Sequence, residues 1–493
     1  MTNLLYLTAV LLPLAAGAVT PLFKKADKRT LHLWVLAILA LEAGAVTALL
    51  FLPAGGELRL FAMSDTLVLA LRMDGVSKLF LAVAAYGFLF SGIYAFRYMA
   101  HSEREPSFYS FFLLSLGGLA GMDLAANLIT MYLFFEMITL LSMPLVLHDR
   151  TKESIRAALK YLFYSIAGAF LGLAAIFVLA RYCTGLDFTP GGTLDRAAAA
   201  GHETLLYIVT LLGVIGFGAK AGLYPLHGWL PTAHPVAPAP ASAVLSGIIA
   251  KAGVLAILRL LYFCVGADFL YGTWVQKVLL GLSLLTVFMG SMMAYREKVF
   301  KKRLAYSSVS QISYVLTGLF LLTAEGLLGG LLHVAFHAAI KVCLFMVAGS
   351  FIVNTGAHRV EELRGYGKIM PKTLWAFTVA ALALVGIPPA SGFVSKWYLA
   401  SGALSSGLPV YNWLVPVILL ISALLTAGYL LPITIDGFFP GKDCPKLPEK
   451  NNEGGPLMWV PIALLSGATL LMGIFASPLV DRVRALAQSL NLP

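Results

Sequence analysis

The chain has 493 residues, of which 59% are hydrophobic and only 12% are charged. This composition excludes an ordinary soluble globular protein and places the chain among the integral membrane proteins. The formal net charge of +11 does not indicate a nucleic-acid partner, because the Lys and Arg residues concentrate in alternate connections between apolar segments, which is a pattern of membrane topology.

Fourteen segments are apolar enough to be transmembrane helices, which need about 20 residues each. They are 3–22, 31–51, 79–99, 108–123, 124–147, 157–181, 204–230, 238–263, 277–295, 304–323, 325–353, 373–400, 412–436 and 457–480. We therefore predict an all-α integral membrane fold in a single membrane domain spanning 1–493. The first segment is followed, not preceded, by basic residues, so we expect it to remain as helix one and not to be removed as a signal peptide.

Basic residues cluster at 150–160, 296–303 and 359–372. By the positive-inside rule these connections are cytoplasmic. Both termini are then expected outside, and a prokaryotic cytoplasmic membrane is the expected location. The connection at 437–456 is rich in Pro, Gly and charge, which is typical of a solvated loop.

Three predicted helices contain helix-breaking residues at membrane depth. Helix seven contains Pro225 and Pro231, helix twelve contains Pro388 and Pro389, and helix eleven begins with a glycine-rich stretch at 325–330. Proline removes a backbone donor and clashes with the preceding turn. Backbone groups freed in this way persist in a membrane only inside protein or beside a wet cavity. We therefore predict that helices seven, eleven and twelve are broken, with an ion site nearby.

Helices seven and twelve lie five positions apart, and each carries a lysine beside its break, Lys220 and Lys396. Transporters often contain inverted repeats whose discontinuous helices occupy corresponding positions. We therefore predict two inverted five-helix repeats, helices four to eight and nine to thirteen. The domain then divides into 1–107 with helices one to three, 108–263 with the first repeat, 277–436 with the second repeat, and 457–493 with helix fourteen and the C-terminus.

Seven ionisable side chains fall at membrane depth, where a charge costs roughly 2.5–3.5 kcal/mol. They are Glu136, Lys220, Lys251, His333, His337, Lys341 and Lys396. Membrane helices carry such residues where they pair, face an internal cavity or move ions. Four lysines on separate helices, together with one Glu and two His, predict a path for protons; snorkelling side chains and a structural ion pair are the alternatives. Glu42 in helix two has no evident partner.

His333, His337 and Lys341 follow one another at four-residue spacing and therefore lie on one face of predicted helix eleven. This arrangement favours a proton wire, because His titrates near neutral pH. Buried structural histidines and a zinc site are the alternatives, but no carboxylate or Cys accompanies the pair, so we expect no metal. His227 and His234 flank the break in helix seven and are candidates for gating the path.

The sequence contains no recognisable site for a redox cofactor or a nucleotide. Its four cysteines are widely separated in sequence and form no Cys-x-x-Cys motif, which argues against an iron–sulfur cluster and structural zinc. A Walker loop and a dinucleotide-binding fingerprint are also lacking. We therefore expect no cofactor and no catalytic site in this chain, whose energy source must be an ion gradient or another subunit.

Six stretches carry a resemblance to a known family. They are Arg72–Gly75, Tyr132–Glu136, Lys220–His234, Ala305–Gln311, His337–Phe345 and Gly386–Lys396. With these stretches the chain resembles the antiporter-like membrane subunits of respiratory complex I, whose superfamily includes Mrp-type sodium/proton antiporters and energy-converting membrane hydrogenases. The resemblance implies fourteen helices, two inverted five-helix units and a hydrated row of residues along the membrane midplane.

The resemblance also implies roles for individual residues. Glu136 and Lys220 look like the coupling pair, Lys251 like the central connecting residue and Lys396 like the residue of the exit half-channel. Two departures narrow the subtype. Only about a dozen residues follow predicted helix fourteen, so we expect the long lateral helix of the largest complex I subunit of this type to be absent. Lys396 stands where the middle subunit has Glu. The D-type Mrp subunit, the innermost complex I type and hydrogenase-associated forms remain open.

We therefore predict a membrane subunit that translocates protons, with Na⁺ as a second candidate ion, in a redox-driven complex of the NADH-quinone oxidoreductase or membrane-bound hydrogenase kind. An Mrp-type antiporter subunit, a stand-alone secondary transporter, a subunit with its own quinone site and a structural scaffold are the alternatives. The expected partners are antiporter-like and small helical membrane subunits, peripheral redox subunits and lipids. The sequence leaves open the coupled ion, the direction of transport, and the electron donor and acceptor.

Overall fold

The computed structural model describes residues 2–53, 55–62, 64, 68–441, 447, 453–490 and 492, which form a helical bundle with a short β-hairpin. The helices are α1 (Thr2–Val19), α2 (Lys28–Phe51), α3 (Gly75–Tyr98), α4 (Glu105–Asp123), α5 (Leu128–Val146), α6 (Lys152–Leu179), α7 (Arg196–Ala199), α8 (Glu203–Ala221), α9 (Leu230–Val236), α10 (Ala239–Val244), α11 (Lys251–Arg259), α12 (Ala267–Leu270), α13 (Trp274–Arg296), α14 (Phe300–Phe320), α15 (Ala324–Thr355), α16 (Pro371–Val385), α17 (Ser391–Leu404), α18 (Tyr411–Phe438), α19 (Pro456–Ile474) and α20 (Ser477–Gln488). The strands are β1 (Leu58–Ala62) and β2 (Val68–Leu71), and short 3₁₀ turns lie at Thr20–Lys25, Met99–His101, Val360–Leu363 and Tyr366–Lys368.

Within these described ranges, eleven helices are long and apolar enough to cross a membrane. The predicted class of helical membrane protein is therefore confirmed, apart from the short β-hairpin, whereas the count of fourteen spans stays a prediction. Three predicted segments form helices that are too short or too polar to be counted as membrane spans, namely those of α4, of α14, and of α16 with α17. Helix α14 begins with Lys301, Lys302 and Arg303 and carries four serines, while α16 and α17 are two short pieces in place of one long span.

Predicted helices seven and twelve are both interrupted. Helix α8 ends at Gly222, where φ is +81°, and α9 begins eight residues later. Helix α16 ends at Gly386, where φ is +92°, and α17 follows after the two prolines. Glycine is favoured at both ends because the left-handed conformation penalises a Cβ. Each half-helix therefore ends inside the protein and leaves carbonyl groups that need donors.

The predicted break in helix eleven is wrong, because α15 is a continuous helix over Ala324–Thr355. Its glycines serve close packing instead. A Cβ at Gly329 would lie 2.6 Å from the backbone N of Leu399, and one at Gly330 would lie 3.1 Å from the carbonyl O of Val315. Without a proline the helix keeps its hydrogen bonds, and small residues let α14 and α17 approach its backbone.

Predicted helix eight, in contrast, is irregular where no break was expected. It comprises α10 and α11 with π-helical turns at Leu245–Ile249 and Leu260–Val265. The whole stretch from Ala239 to Val265 is buried inside the bundle. π-Turns widen the helix and are frequent at functional sites. Lys251, the first residue of α11, lies two residues after the end of the first of these turns.

Two elements extend beyond the fourteen predicted segments. Strands β1 and β2 form an antiparallel hairpin between α2 and α3, and α20 extends the chain after α19. In the connection predicted at 437–456, α18 ends at Phe438 and α19 begins at Pro456.

Two of the four cysteines are neighbours in space although they are far apart in sequence. Sγ of Cys183 lies 4.0 Å from the carbonyl O of Cys264. Cys444 lies outside the described residues.

Glycines bring α6 and α8 together backbone to backbone. A Cβ at Gly168 would lie 2.4 Å from the carbonyl O of Gly216 and 2.7 Å from Cβ of Ala219. We expect Gly168→Ala to lower the free energy of unfolding by about 1–3 kcal/mol, measured by thermal unfolding in detergent. The control is Gly44→Ala, where nothing lies within 4 Å of the new Cβ and helix propensity predicts a gain of up to about 1 kcal/mol. Equal melting temperatures for the two variants would contradict this packing role.

Candidate functional site: a row of buried amines and histidines

Lys220 lies at the end of half-helix α8 and reaches across to α5. Its Nζ donates to the carbonyl O of Phe135 at 2.9 Å and to Oγ1 of Thr139 at 2.7 Å. The amine also lies 4.2 Å from the centre of the Phe135 ring, and the side chain is fully buried. A cation is therefore held by a carbonyl, a hydroxyl and an aromatic face, each of which stabilises positive charge.

Glu136 follows Phe135 on α5, but its carboxylate does not contact Lys220. Its Oε1 is buried and has no hydrogen-bond partner, and no ion pair within 4.0 Å joins it to Lys220 in the described part of the chain. The structural ion pair considered from sequence is therefore not formed. Helix α5 thus carries both the carboxyl group and the groups that hold the amine, and the two charges do not neutralise each other by direct contact.

Lys251 bonds to the irregular turn that precedes it. Its Nζ donates to the carbonyl O of Gly247 and lies 3.5 Å from that of Ser246. The π-turn exposes these carbonyls because its hydrogen bonds are out of register with the α-helix. Oγ of Ser246 lies 2.6 Å from Oγ of Ser308, so polar contacts continue from this turn to α14.

His333 and His337 stack on one face of α15, as their spacing predicts. Their rings lie 5.7 Å apart at an interplanar angle of 12°. His333 bonds on both sides, through Nδ1 to Oγ of Ser395 at 2.8 Å and through Nε2 to Oε1 of Gln311 at 3.2 Å. Both ring nitrogens of His337 are buried without a partner among the described residues. An unpartnered buried imidazole is costly, and water bridging satisfies such groups in polar cavities.

Lys341 continues the same face of α15 and bonds to α14. Its Nζ donates to the carbonyl O of Leu304 at 3.0 Å and to Oγ of Ser307. Among the described residues no group of three or more His, Cys, Asp and Glu is placed to hold a metal ion. The zinc alternative for the His pair thus lacks a ligand set in this part of the chain.

Lys396 caps the first half of predicted helix twelve. Its Nζ donates to the carbonyl O atoms of Leu384 at 2.6 Å and Val385 at 2.9 Å, the last residues of α16. A helix C-terminus carries partial negative charge, which favours a cation there. The amine also lies 5.0 Å from the Tyr314 ring, which stacks on His333 at 5.5 Å. Tyr314 thus lies between the histidine pair and Lys396.

The two histidines expected as gates lie in the α8–α9 connection and in α9. His227 is partly exposed, stacks on Tyr224 at 5.8 Å, and has a buried Nδ1 without a partner. His234 is fully buried, its ring lies 4.8 Å from that of Phe345, and neither nitrogen has a hydrogen-bond partner in the described chain. Both residues border the α8–α9 break, and no direct hydrogen bond joins either of them to the row within the described ranges.

One protein-family model matches the part of the chain that contains the whole row. A family model described as NADH:quinone oxidoreductase/Mrp antiporter, transmembrane, matches residues 125–426. That range is more than half of the chain and contains all seven row residues and both candidate gates. The chain belongs to this family. The resemblance inferred from the six sequence stretches is therefore confirmed.

Curated relatives in this family come from three kinds of assembly. NADH-quinone oxidoreductase subunit N of Desulforudis audaxviator is 34% identical, over 84% of this chain and 83% of its own length. Hydrogenase-4 component B of Escherichia coli is 31% identical over 91% and 67%, respectively. The D-type subunit of the Na⁺/H⁺ antiporter of Bacillus subtilis is 29% identical over 84% and 82%.

Solved structures share the fold over almost the entire chain. A chain of the Mrp complex from Dietzia superposes with a TM-score of 0.86 at 22% identity, covering 99% of this chain and 97% of its own. A chain of an archaeal membrane-bound sulfane sulfur reductase gives 0.86 at 24% identity, covering 99% and 98%. At these identities the likeness establishes the fold alone.

Two further basic residues are buried in the structure but were not among the candidates predicted from the sequence. Nζ of Lys301 donates to the carbonyl O atoms of Pro235 and Ala237 at the end of α9. Arg259 is buried between the rings of Phe188 and Phe263, and its Nη2 bonds to Oδ1 of Asp74 at 2.9 Å. Lys301 was counted with a basic loop, whereas Arg259 was detectable as a second basic residue, beside Lys251, in predicted helix eight.

The row has one chemical property in common. Each lysine of the row donates to backbone carbonyls or hydroxyls, and none has a carboxylate within 4.0 Å in the described structure. Carbonyl dipoles stabilise an ammonium group without fixing it as a strong ion pair does, and burial favours the neutral amine. Such a site is suited to gaining and losing a proton.

Proposed function

We propose that this chain is the proton-translocating membrane subunit of a multi-subunit, redox-driven complex. The observation that carries the proposal is the set of amines without carboxylate partners among the described residues, one of which, Lys396, contacts the ring of Tyr314 that stacks on the histidine pair. In an ordinary structural ion pair, the opposite charge holds each group in its charged form, so the pair does not readily take up or release a proton. We infer that protons pass between these basic groups through the Ser, Gln, Tyr and His side chains that contact them.

The proposed path runs along the middle of the membrane. Lys220 and Glu136 form one end, and Lys251 is the central site beside the π-turn. His337, His333 and Lys341 continue the path on α15, and Tyr314 separates the histidines from Lys396 at the other end. The unpartnered nitrogens of His337 support water in this region. Each lysine loads and releases a proton in turn, biased by Glu136 and by charge changes in a neighbouring subunit, while His227 and His234 gate uptake at the α8–α9 break.

We also propose the finer architecture expected for such a path. Fourteen spans would be arranged as two inverted five-helix repeats, which the corresponding breaks α8–α9 and α16–α17 support. Both termini would lie outside a prokaryotic cytoplasmic membrane. That placement on one side is supported by contacts of both terminal helices with the start of α3, since the hydroxyl of Tyr6 lies 3.3 Å from N of Met73 and Leu486 packs on Gly75.

A subunit of an Mrp-type Na⁺/H⁺ antiporter is the second candidate. It is favoured by the relatives named as antiporter subunits, one of which shares 29% identity over most of the chain. In that case the same row would move protons against Na⁺, with no redox partner. The partners that co-purify with the chain distinguish the two assemblies, because redox subunits are required only by the first.

The test of the proposal replaces the central amine. We expect Lys251→Met in the assembled complex to reduce proton translocation by roughly tenfold or more, because an apolar side chain interrupts transfer that a positioned acid–base group supports. Translocation is measured with a pH-sensitive dye in closed vesicles, energised by the complex's own driving reaction.

The matched control is Lys277→Met, which removes an exposed lysine on α13 that lies outside the row. Full translocation by a stably assembled Lys251→Met complex would refute the role of the row. The purified full-length chain alone should translocate no protons in liposomes, and vigorous transport there would instead establish the stand-alone transporter.

A further inference from the structure

A groove on the surface of the bundle lies outside the row of amines. It opens between α3, α15, α19 and α20 and has two parts, with volumes of about 520 Å³ and about 270 Å³. The two parts share the side chains of Leu79, Ala82 and Leu479, so they form one continuous depression. We call it the α3–α15 groove.

The first part of the groove has a cationic mouth. Lys78 and Arg482 both line it and act on each other electrostatically. Nζ of Lys78 donates to the carbonyl O of Leu50 at 3.2 Å and of Leu52 at 2.5 Å, which leaves one N–H free. Arg482 has no hydrogen-bond or ion-pair partner among the residues that the structure describes. Two like charges at one mouth repel each other unless an anion lies between them.

The second part of the groove is apolar. It is lined by small and aliphatic side chains of α15, including Ala335, Ala338 and Val342, and none of its lining residues is charged. Along α3 the groove extends from Lys78 to Phe90, or roughly 18 Å at 1.5 Å per residue. One leaflet of a bilayer contributes about half of a hydrocarbon core of about 30 Å. The groove thus has the depth of a single leaflet.

We propose that the α3–α15 groove binds an anionic phospholipid, with its phosphate between Lys78 and Arg482 and an acyl chain along α3 and α15. A cationic mouth at one end of a one-leaflet apolar groove matches a phospholipid in charge and in length. A transmembrane helix of a partner subunit would cross both leaflets, whereas the groove is only one leaflet long.

The proposed site has a structural connection to the histidine pair. Ala335, Ala338 and Val342 lie on the face of α15 roughly opposite to that of His333 and His337, as the helical repeat of about 3.6 residues requires. A bound acyl chain would therefore pack against the back of the helix that carries the pair. The lipid-binding proposal itself does not depend on proton translocation.

The test measures lipid retention by the purified full-length chain. The protein in mild detergent is equilibrated with phosphatidylglycerol or phosphatidylcholine, and bound lipid is counted by native mass spectrometry. We expect wild-type protein to retain phosphatidylglycerol preferentially. Lys78→Gln combined with Arg482→Gln should weaken its retention by roughly 25-fold, since each basic residue near a lipid headgroup contributes about fivefold.

The matched control combines Arg181→Gln with Lys277→Gln, which replace two exposed basic residues outside the groove. This control protein should retain the lipid fully. Because loss of Lys78 also uncaps α2, a second variant, Ala82→Trp, fills the groove and keeps both charges; it should lose the lipid while its melting temperature stays measurable. Equal retention of the two lipids by wild type, or unchanged retention in both variants, would overturn the proposal.

A photoreactive phosphatidylglycerol added to the assembled complex provides a further outcome. Crosslinks to α3 and α15 are expected. If a crosslinker placed at Ala335 instead captures a protein subunit and no lipid, the groove is a subunit interface and the lipid proposal is wrong. Proton translocation is not a readout in any of these experiments, so a failure here leaves the proposed function standing.

Discussion

Lys220→Met is expected to lower proton translocation by the assembled complex by roughly 100-fold or more, the range in which a positioned proton-transfer group contributes. The amine of Lys220 is fully buried and bonds to Phe135 and Thr139 on α5. Met preserves the length and apolar volume of the side chain but has no proton to load. The measurement is dye quenching in closed vesicles, normalised to the rate of the driving reaction.

The structure also predicts that Glu136 and Lys220 are not equivalent. Glu136→Gln should reduce translocation by less than Lys220→Met does, because the carboxylate makes no direct contact with the amine and Lys220 keeps its carbonyl and hydroxyl partners. Thr139→Val removes one of those partners and should fall between the two. Equal and complete losses for Glu136→Gln and Lys220→Met would show that the two groups act as a single ion pair, contrary to this geometry.

Asp74→Ala is expected to lower the free energy of unfolding by about 3–5 kcal/mol, because it leaves a buried guanidinium without its counter-charge. Arg259 is 2% exposed, lies between two phenylalanine rings and bonds to both carboxylate oxygens of Asp74. Asp74 also accepts a hydrogen bond from N of Ser77 at the start of α3, a cap whose loss adds to the damage. The measurements are the amount of chain in the membrane and its melting temperature in detergent.

An exposed pair of the same chemical type serves as the control. Arg196 and Asp268 form an ion pair with 47% and 62% of their side chains exposed, and Asp268→Ala should cost only about 0–1 kcal/mol. Asp74→Ala combined with Arg259→Met should recover much of the lost stability, since the unpaired charge is then gone. An Asp74→Ala protein as stable as Asp268→Ala would show that Arg259 finds other partners.

Local chemistry made part of the site predictable from the sequence. The breaks in helices seven and twelve were predictable from their prolines, which disfavour a continuous helix, and the stacking of His333 and His337 follows from the helical repeat. Glycines alone did not break helix eleven, because glycine disrupts a helix only weakly and here it accommodates the backbones of α14 and α17. The π-turn before Lys251 had no local marker, since neither proline nor a charged insertion lies within it.

What the sequence determined by itself is the class of the protein and the identity of its ionisable residues at membrane depth, because hydrophobicity and the cost of a buried charge are properties of single segments. The tertiary structure decided which groups meet. It placed Lys220 on Phe135 and Thr139 rather than on Glu136, Tyr314 between His333 and Lys396, and Arg259 against Asp74, 185 residues away. These contacts depend on how distant helices pack, and no spacing within one segment encodes that.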